Sequence, residues 1–410
     1  MRQMIKSCGA VSPHHSRPRA SARAPGAMAG GGEVKPTAAG AEGPVVVISA
    51  NSCWNIVNFR ASLILALQDH GYRVVVVAPQ DPHVAALGAL GADFVPLAMN
   101  NSGVSVREDA GLFLRYLKLF RALKPAAYLG YTAKPNIYGS LAAQALGARV
   151  INNVSGLGTA FIKPGPLTRI VSALYRLSFR RSHKVFFQNL DDLQLFVGGG
   201  LVAAAKADLL PGSGVDLQHF KPSGAQRKPG PFRFLFVGRL LWDKGIAEYV
   251  EAARLVRGDH REVIFQILGQ IGAINRTAVP SSDLERWRAE GIIDYLGESD
   301  DVRGAISEAD CVVLPSYREG LPRALLEGSA MGKPLIATDV AGCRDVVVDG
   351  ETGYLCEVRS AASLAGAMSK ILEGSDSERS AMGARGRRKV ELEFCETRVI
   401  AKYLAALGGP

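Results

Sequence analysis

Two successive series of short apolar segments, each alternating with helical ones, constrain the fold of this 410-residue chain more than any other feature. The first series opens at Pro44 with "PVVVISA". It runs through "VNFRASLILALQDHGY", "RVVVVAP", "ADFVPLAM", "EDAGLFLRYLKLFRALKP", "AAYLGYT" and "NIYGSLAAQALG" to "ARVINNVSG". Uninterrupted Val and Ile runs, without polar alternation, belong to strands covered on both faces. Separated by helical stretches, they assemble as βαβ units on a parallel sheet. After a segment rich in Gly, Pro, Gln and Lys, a second series begins: "FRFLFVG", "EVIFQILG", "IIDYLG", "DCVVLP", "KPLIAT" and "GYLCE". The expected fold is therefore α/β, with two doubly wound, Rossmann-like parallel-sheet domains. Between them lies a cleft, faced by the carboxyl ends of the strands, where such sheets bind ligands. The expected divisions are a tail over 1–43, a first domain over 44–222, a linker over 223–231, a second domain over 232–390 and a final segment over 391–410.

Composition narrows the class. Apolar residues make up 48% and charged residues 21% of the chain, as in soluble globular proteins. No apolar run reaches the eighteen or so residues of a membrane-spanning helix. Six scattered cysteines, without CxxC pairs or histidine spacing, read as reduced, buried small hydrophobes, so no metal site is expected. A formal charge of +10 favours an anionic partner, whether phosphate, nucleic acid or anionic lipid. The segment 1–43 carries no acidic residue before Glu33 and lacks the apolar core of a secretory signal. It reads as a disordered tail ahead of a start at Met28; a mitochondrial transit peptide is the alternative.

The candidate chemistry lies in "SYREGLPRALLEG" (316–328). The strand "CVVLP" ends in the cleft, and Pro322 suits the first position of the helix that follows. Free backbone N–H groups around Gly320 and Arg323 then point at the cleft and welcome an anion. Glu319 precedes this helix and Glu327 lies within it, one carboxylate placed for sugar hydroxyls and the other for a ribose. Both are alternatively solvated acids at a helix start. "FVGRLLWDKG" (236–245), at the end of another strand, adds Arg239 and Lys244. Two fixed cations beside a helix start hold a diphosphate and stabilise charge developing on it as a leaving group.

These segments, with "SCWNIVNFRASLILAL" and "TAKPNIYGSLAA", resemble family 4 retaining glycosyltransferases. More narrowly, the chain is similar to bacterial enzymes that extend polyprenyl-diphosphate-linked sugars, among them N-acetylgalactosaminyltransferases. The resemblance covers roughly residues 44 to 405. It implies a GT-B fold whose last helix, "TRVIAKYLAAL", crosses back to the first domain. It also implies transfer, with retention, of a hexose or N-acetylhexosamine from a UDP-sugar to a lipid-linked saccharide. Arg239 and Lys244 would grip the diphosphate, Glu319 the transferred sugar and Glu327 the ribose, with Gly238, Gly320 and Leu321 lining the donor. No cofactor or metal is implied. A non-transferring relative such as a UDP-sugar 2-epimerase is the alternative.

Many relatives carry a histidine in the first domain where "YTAKPN" has Ala133 and Lys134, so Lys134 becomes a candidate cation or donor, or else an ordinary loop lysine. Asn55 and Asn58, after the first strand, are candidates for acceptor contact; helix capping is the plainer role for Asn there. The stretch "FIKPGPLTRIVSALYRLSFRRSHK" has many cations, including Arg176, Arg180 and Arg181, and no acid. It is expected to rest on an anionic membrane surface, making the protein peripheral on the inner face of the cell membrane. No reader motif or aromatic–basic interleaving supports nucleic-acid binding. A Rossmann oxidoreductase is opposed by the absence of G-x-G-x-x-G after a strand.

Overall fold

The structure, a computed structural model, describes residues 43–100, 105–157, 161, 165–222, 230–272 and 277–408. The tail expected before Gly43 and most of the expected linker lie outside them.

The first sheet contains β1 (Val45–Ser49), β2 (Arg73–Ala78), β3 (Asp93–Pro96), β4 (Ala127–Tyr131), β5 (Arg149–Val154), β6 (Lys184–Phe187) and β7 (Ala207–Leu209). Their spatial order is β3-β2-β1-β4-β5-β6-β7, and every pairing is parallel. The second sheet contains β8 (Arg233–Val237), β9 (Ile264–Leu268), β10 (Asp294–Tyr295), β11 (Cys311–Leu314), β12 (Leu335–Thr338) and β13 (Gly353–Cys356), in the parallel order β10-β9-β8-β11-β12-β13. These are two Rossmann-like lobes of the GT-B kind. Central strands are buried almost throughout, as Val46, Val47 and Ile48 of β1 and Phe234, Leu235 and Phe236 of β8 show. In each sheet the strand order reverses beside the first strand, between β1 and β4 and between β8 and β11. Crossover helices leave to opposite faces at such a point and open a crevice at the carboxyl ends.

One helix departs from its sequence pattern. The segment "NIYGSLAAQALG" starts as a wide π turn over Pro135–Gly139 before tightening into the helix Ser140–Ala145. Tyr128 of β4 causes it. Its buried hydroxyl donates to the Pro135 carbonyl at 2.9 Å, and a Cβ on Gly139 would sit 1.9 Å from that oxygen. The turn widens to admit the ring.

The helix Glu396–Leu407 packs on the first lobe. Val399, Tyr403, Ala406 and Leu407 enter the same core as Ile56, Leu63, Tyr131 and Phe186. Ser62 donates to Glu396 at 2.7 Å, and Asn153 donates to the Tyr403 hydroxyl at 2.9 Å. Each large side chain so buried contributes about 1.5–3 kcal/mol of transfer free energy. Among the described residues no helix is long and apolar enough to cross a membrane.

Candidate functional site

The site is built where β8 and β11 end. Beyond Val237 the chain turns through Gly238, whose N–H donates to Leu268 at 3.0 Å, and reaches Arg239. Arg239 is exposed and has no ion-pair partner among the described residues. A short turn, Trp242–Lys244, follows. Gly245 ends it with φ +72°, a conformation that glycine adopts without strain. A Cβ there would also lie 2.0 Å from the Pro315 carbonyl oxygen, so only glycine lets this loop close on the exit of β11. Two further bonds fasten the loops: Tyr317 N–H and the Ser316 hydroxyl both donate to the Asp243 carbonyl, at 2.9 and 3.1 Å.

This fastening brings Lys244 against Glu319. Their ammonium and carboxylate form an ion pair in which the Glu319 side chain is 11% exposed. Sequence reasoning gave the two residues separate partners; the structure pairs them with each other. An ammonium held this way is shared readily between the carboxylate and an arriving anion, while the second carboxylate oxygen remains an acceptor for hydroxyl groups.

The helix Arg323–Ala330 starts one residue later than the sequence suggested, with Pro322 at the cap position and no side chain capping it. Its first N–H groups therefore remain available at the cleft. Glu327 lies one turn in, 8% exposed. Burial pushes its carboxyl above the usual glutamate value, opposed by Arg323, which pairs with it at 2.7 Å. Sequence reasoning missed Arg323, although the i, i+4 spacing to Glu327 was a visible signal. The same guanidinium donates to the Asn58 carbonyl of the first lobe at 2.9 Å and lies over the Phe59 ring, 5.3 Å from its centre.

The first lobe closes the other side of the Glu319 loop. Asn189 donates to the Gly320 carbonyl at 2.9 Å, and Arg318 pairs with the buried Asp192 at 2.7 Å. A Cβ on Gly320 would be 2.3 Å from the Ser155 carbonyl oxygen. Leu321 is buried, its side chain occupying the space a Cβ on Gly212 would need. Gly320 and Leu321 thus hold the loop between the lobes.

Other expected residues are engaged elsewhere. Lys134 is not a free cation: it pairs with Asp109 at 2.7 Å, and the two side chains are only 14% and 5% exposed. Asn58 spends its side-chain amide on the Trp54 carbonyl at 2.9 Å, within its own helix. Asn55 is not the cap; Ser52 is, and it accepts from the Asn55 N–H at 3.2 Å. Arg176 is exposed but tied down, donating to the Gly199 and Gly200 carbonyls at 3.0 Å each, whereas Arg180 and Arg181 project outward. The helix Pro166–Phe179, which carries Arg176 and ends just before Arg180, also exposes Leu167, Ile170 and Leu177 on one stripe.

Known proteins share this organisation. A family model described as "Glycosyl transferases group 1" matches residues 219–389, and one described as "Glycosyl transferase 4-like" matches residues 47–189. The N,N'-diacetylbacillosaminyl-diphospho-undecaprenol alpha-1,3-N-acetylgalactosaminyltransferase of Campylobacter jejuni is 26% identical over 368 residues, 85% of this chain and 94% of that protein. The putative colanic acid biosynthesis glycosyltransferase WcaL of Escherichia coli is 29% identical over 202 residues, 47% of this chain and 49% of its own. Among solved structures, Anabaena Alr3699/HepE in complex with UDP and glucose superposes with a TM-score of 0.75 at 16% identity, covering 89% of this chain and 99% of that one. With one lobe matched by each model, the chain belongs to the group 1 and 4-like glycosyltransferases.

Proposed function

We propose that this glycosyltransferase moves a hexose or N-acetylhexosamine from a UDP-sugar to a saccharide carried on a polyprenyl diphosphate, with retention and without a metal. The observation that carries the reading is the Lys244–Glu319 pair, on the same loop system as Arg239, which has no ion-pair partner among the described residues, at the carboxyl ends of β8 and β11. The diphosphate enters beside Arg239 and the open start of the helix Arg323–Ala330. Lys244 then turns part of its charge to the phosphate oxygens. As the bond between sugar and phosphate breaks, the electron pair leaves with UDP. An acceptor hydroxyl oxygen bonds the anomeric carbon on the same face and gives its proton to a departing phosphate oxygen. The two cations offset the charge that develops on the leaving UDP. This is the work a divalent ion does in other transferases. Glu319 accepts hydrogen bonds from the sugar hydroxyls and fixes the anomeric carbon. Glu327, paired with Arg323, accepts the ribose hydroxyls. The acceptor arrives from the side of the first lobe, near Asn55. HepE, whose solved complex holds UDP and glucose, and the Campylobacter enzyme, named for a diphospho-undecaprenol acceptor, support both choices of substrate.

Contact with the inner face of the membrane belongs to the same reading. The exposed Leu167, Ile170 and Leu177, flanked by Arg169 and Arg180, suit an interface between headgroups and acyl chains. A panel of UDP-sugars with polyprenyl-diphosphate saccharide acceptors tests the assignment. One donor should yield UDP and an extended glycolipid in equal amounts, with the α linkage visible by NMR. UDP release without glycolipid, or no release from any donor, rejects it.

A further inference from the structure

A second concave surface lies at the amino ends of β5, β6 and β7, on the edge of the first sheet opposite the cleft. An open cavity of about 530 Å³ there is lined by Arg149, Arg181, Ser182, His183 and Lys206, and no carboxylate lines it. The bonds these cations make are to neutral groups. Arg149 donates to the Leu407 carbonyl, and Lys206 to the Arg180 carbonyl at 2.7 Å. Arg181 is exposed, with no hydrogen-bond or ion-pair partner for its side chain among the described residues. Asp208, on the adjoining β7, is shared between Lys184 at 3.8 Å and Lys402 at 3.0 Å. Three full positive charges therefore converge on one cavity, and among the described residues its lining offers them only neutral partners.

The geometry points to an anion site in this cavity, selective for phosphate groups and separate from the donor cleft. Arginine guanidinium groups match tetrahedral oxyanions through paired N–H donors, and a lysine adds a point charge. Three cations suit a multiply charged phosphate better than a single carboxylate. The His183 ring supplies a further donor once protonated. Its pKa is lowered by partial burial and by Arg149, Lys184 and Lys206, so these neighbours disfavour a fourth charge. An anion reverses that balance, and by linkage its binding raises the His183 pKa. A soluble phosphate ester and a phospholipid headgroup share this chemistry, and the cavity accommodates either.

The test uses the full chain with the cleft saturated by UDP, so that failure of the donor assignment and failure of this one are told apart. Inorganic pyrophosphate is titrated in while the His183 ring is followed by NMR, and phosphatidylglycerol vesicles are compared with phosphatidylcholine vesicles by flotation. Lys206→Glu and Arg181→Ser are made singly, and melting curves confirm that each folds. Pyrophosphate should shift the His183 ring signals and raise its pKa, and each variant should weaken binding by about tenfold or more, as loss of a charged phosphate contact does. Binding to pyrophosphate identifies a soluble ligand. Binding confined to phosphatidylglycerol vesicles, and lost in Lys206→Glu, identifies a headgroup. Either result upholds the site. If neither probe binds while UDP occupies the cleft, or if both variants bind as the parent does, the site is not there.

Discussion

The two walls of the cleft spend their charged residues differently. On the second-lobe wall Arg239 has no ion-pair partner among the described residues, Lys244 meets a carboxylate beside the opening, and Glu327 is backed by Arg323. On the first-lobe wall the corresponding polar groups serve the lobe itself: Lys134 neutralises Asp109, and the Asn58 amide bonds its own helix. A wall that grips a diphosphate must hold charge in place before the ligand arrives, and preorganised charge is what accelerates transfer. The same residue type therefore stands at the cleft opening on one side and braces its own lobe on the other.

The sharpest challenge to this contrast is Glu319→Ala. Turnover should fall by roughly two to four orders of magnitude, as for groups acting at the reacting centre, with little change in melting temperature. Near-parental turnover would remove the catalytic meaning of the Lys244 pair. Next is Arg239→Ala, for which a UDP Kd about ten- to a hundredfold higher is expected from loss of a charge-assisted contact, measured by calorimetry. Lys134→Ala probes the opposite wall. It leaves Asp109 buried and unpaired, and should destabilise the fold by about 3 kcal/mol while the activity of the folded fraction persists. A stable Lys134→Ala protein without activity would overturn the architectural reading of that lysine.

The smallest effect is a pH dependence. Burial raises the Glu327 pKa above its unfolded value. Its contribution to stability is therefore fully present below the unfolded pKa and is lost as pH rises through the folded one. If Glu327 meets the ribose as proposed, binding needs its carboxylate, and UDP affinity should climb with pH across mild acid more steeply in the parent than in Glu327→Gln. Parallel profiles would mean that Glu327 does not meet the ribose.

The fold was legible because βαβ repetition writes itself as apolar runs such as "VVVIS" and "FLFV". The short strands β6 and β7 were less so, since "KVFF" and "ADL" are too brief to announce themselves. Within the site, Arg239, Lys244, Glu319 and Glu327 stood out because chemistry ties them to strand ends and a helix start. Arg323 did not, because its role comes from Asn58 and Phe59, more than 260 positions away in the chain. For a related reason the sequence leaves Lys134 open between a cleft donor and an ordinary loop lysine: Asp109, its partner, sits 25 residues earlier on a helix whose rotation the sequence does not fix.

The placement of Tyr403 and Leu407 sets the order in which this molecule can be completed during synthesis. The lobe that leaves the ribosome first lacks its final plug until residues near the other end of the chain emerge and seat themselves beside Tyr131 and Phe186. Until then it waits with part of its interior uncovered, so the half translated earliest is the half that finishes last.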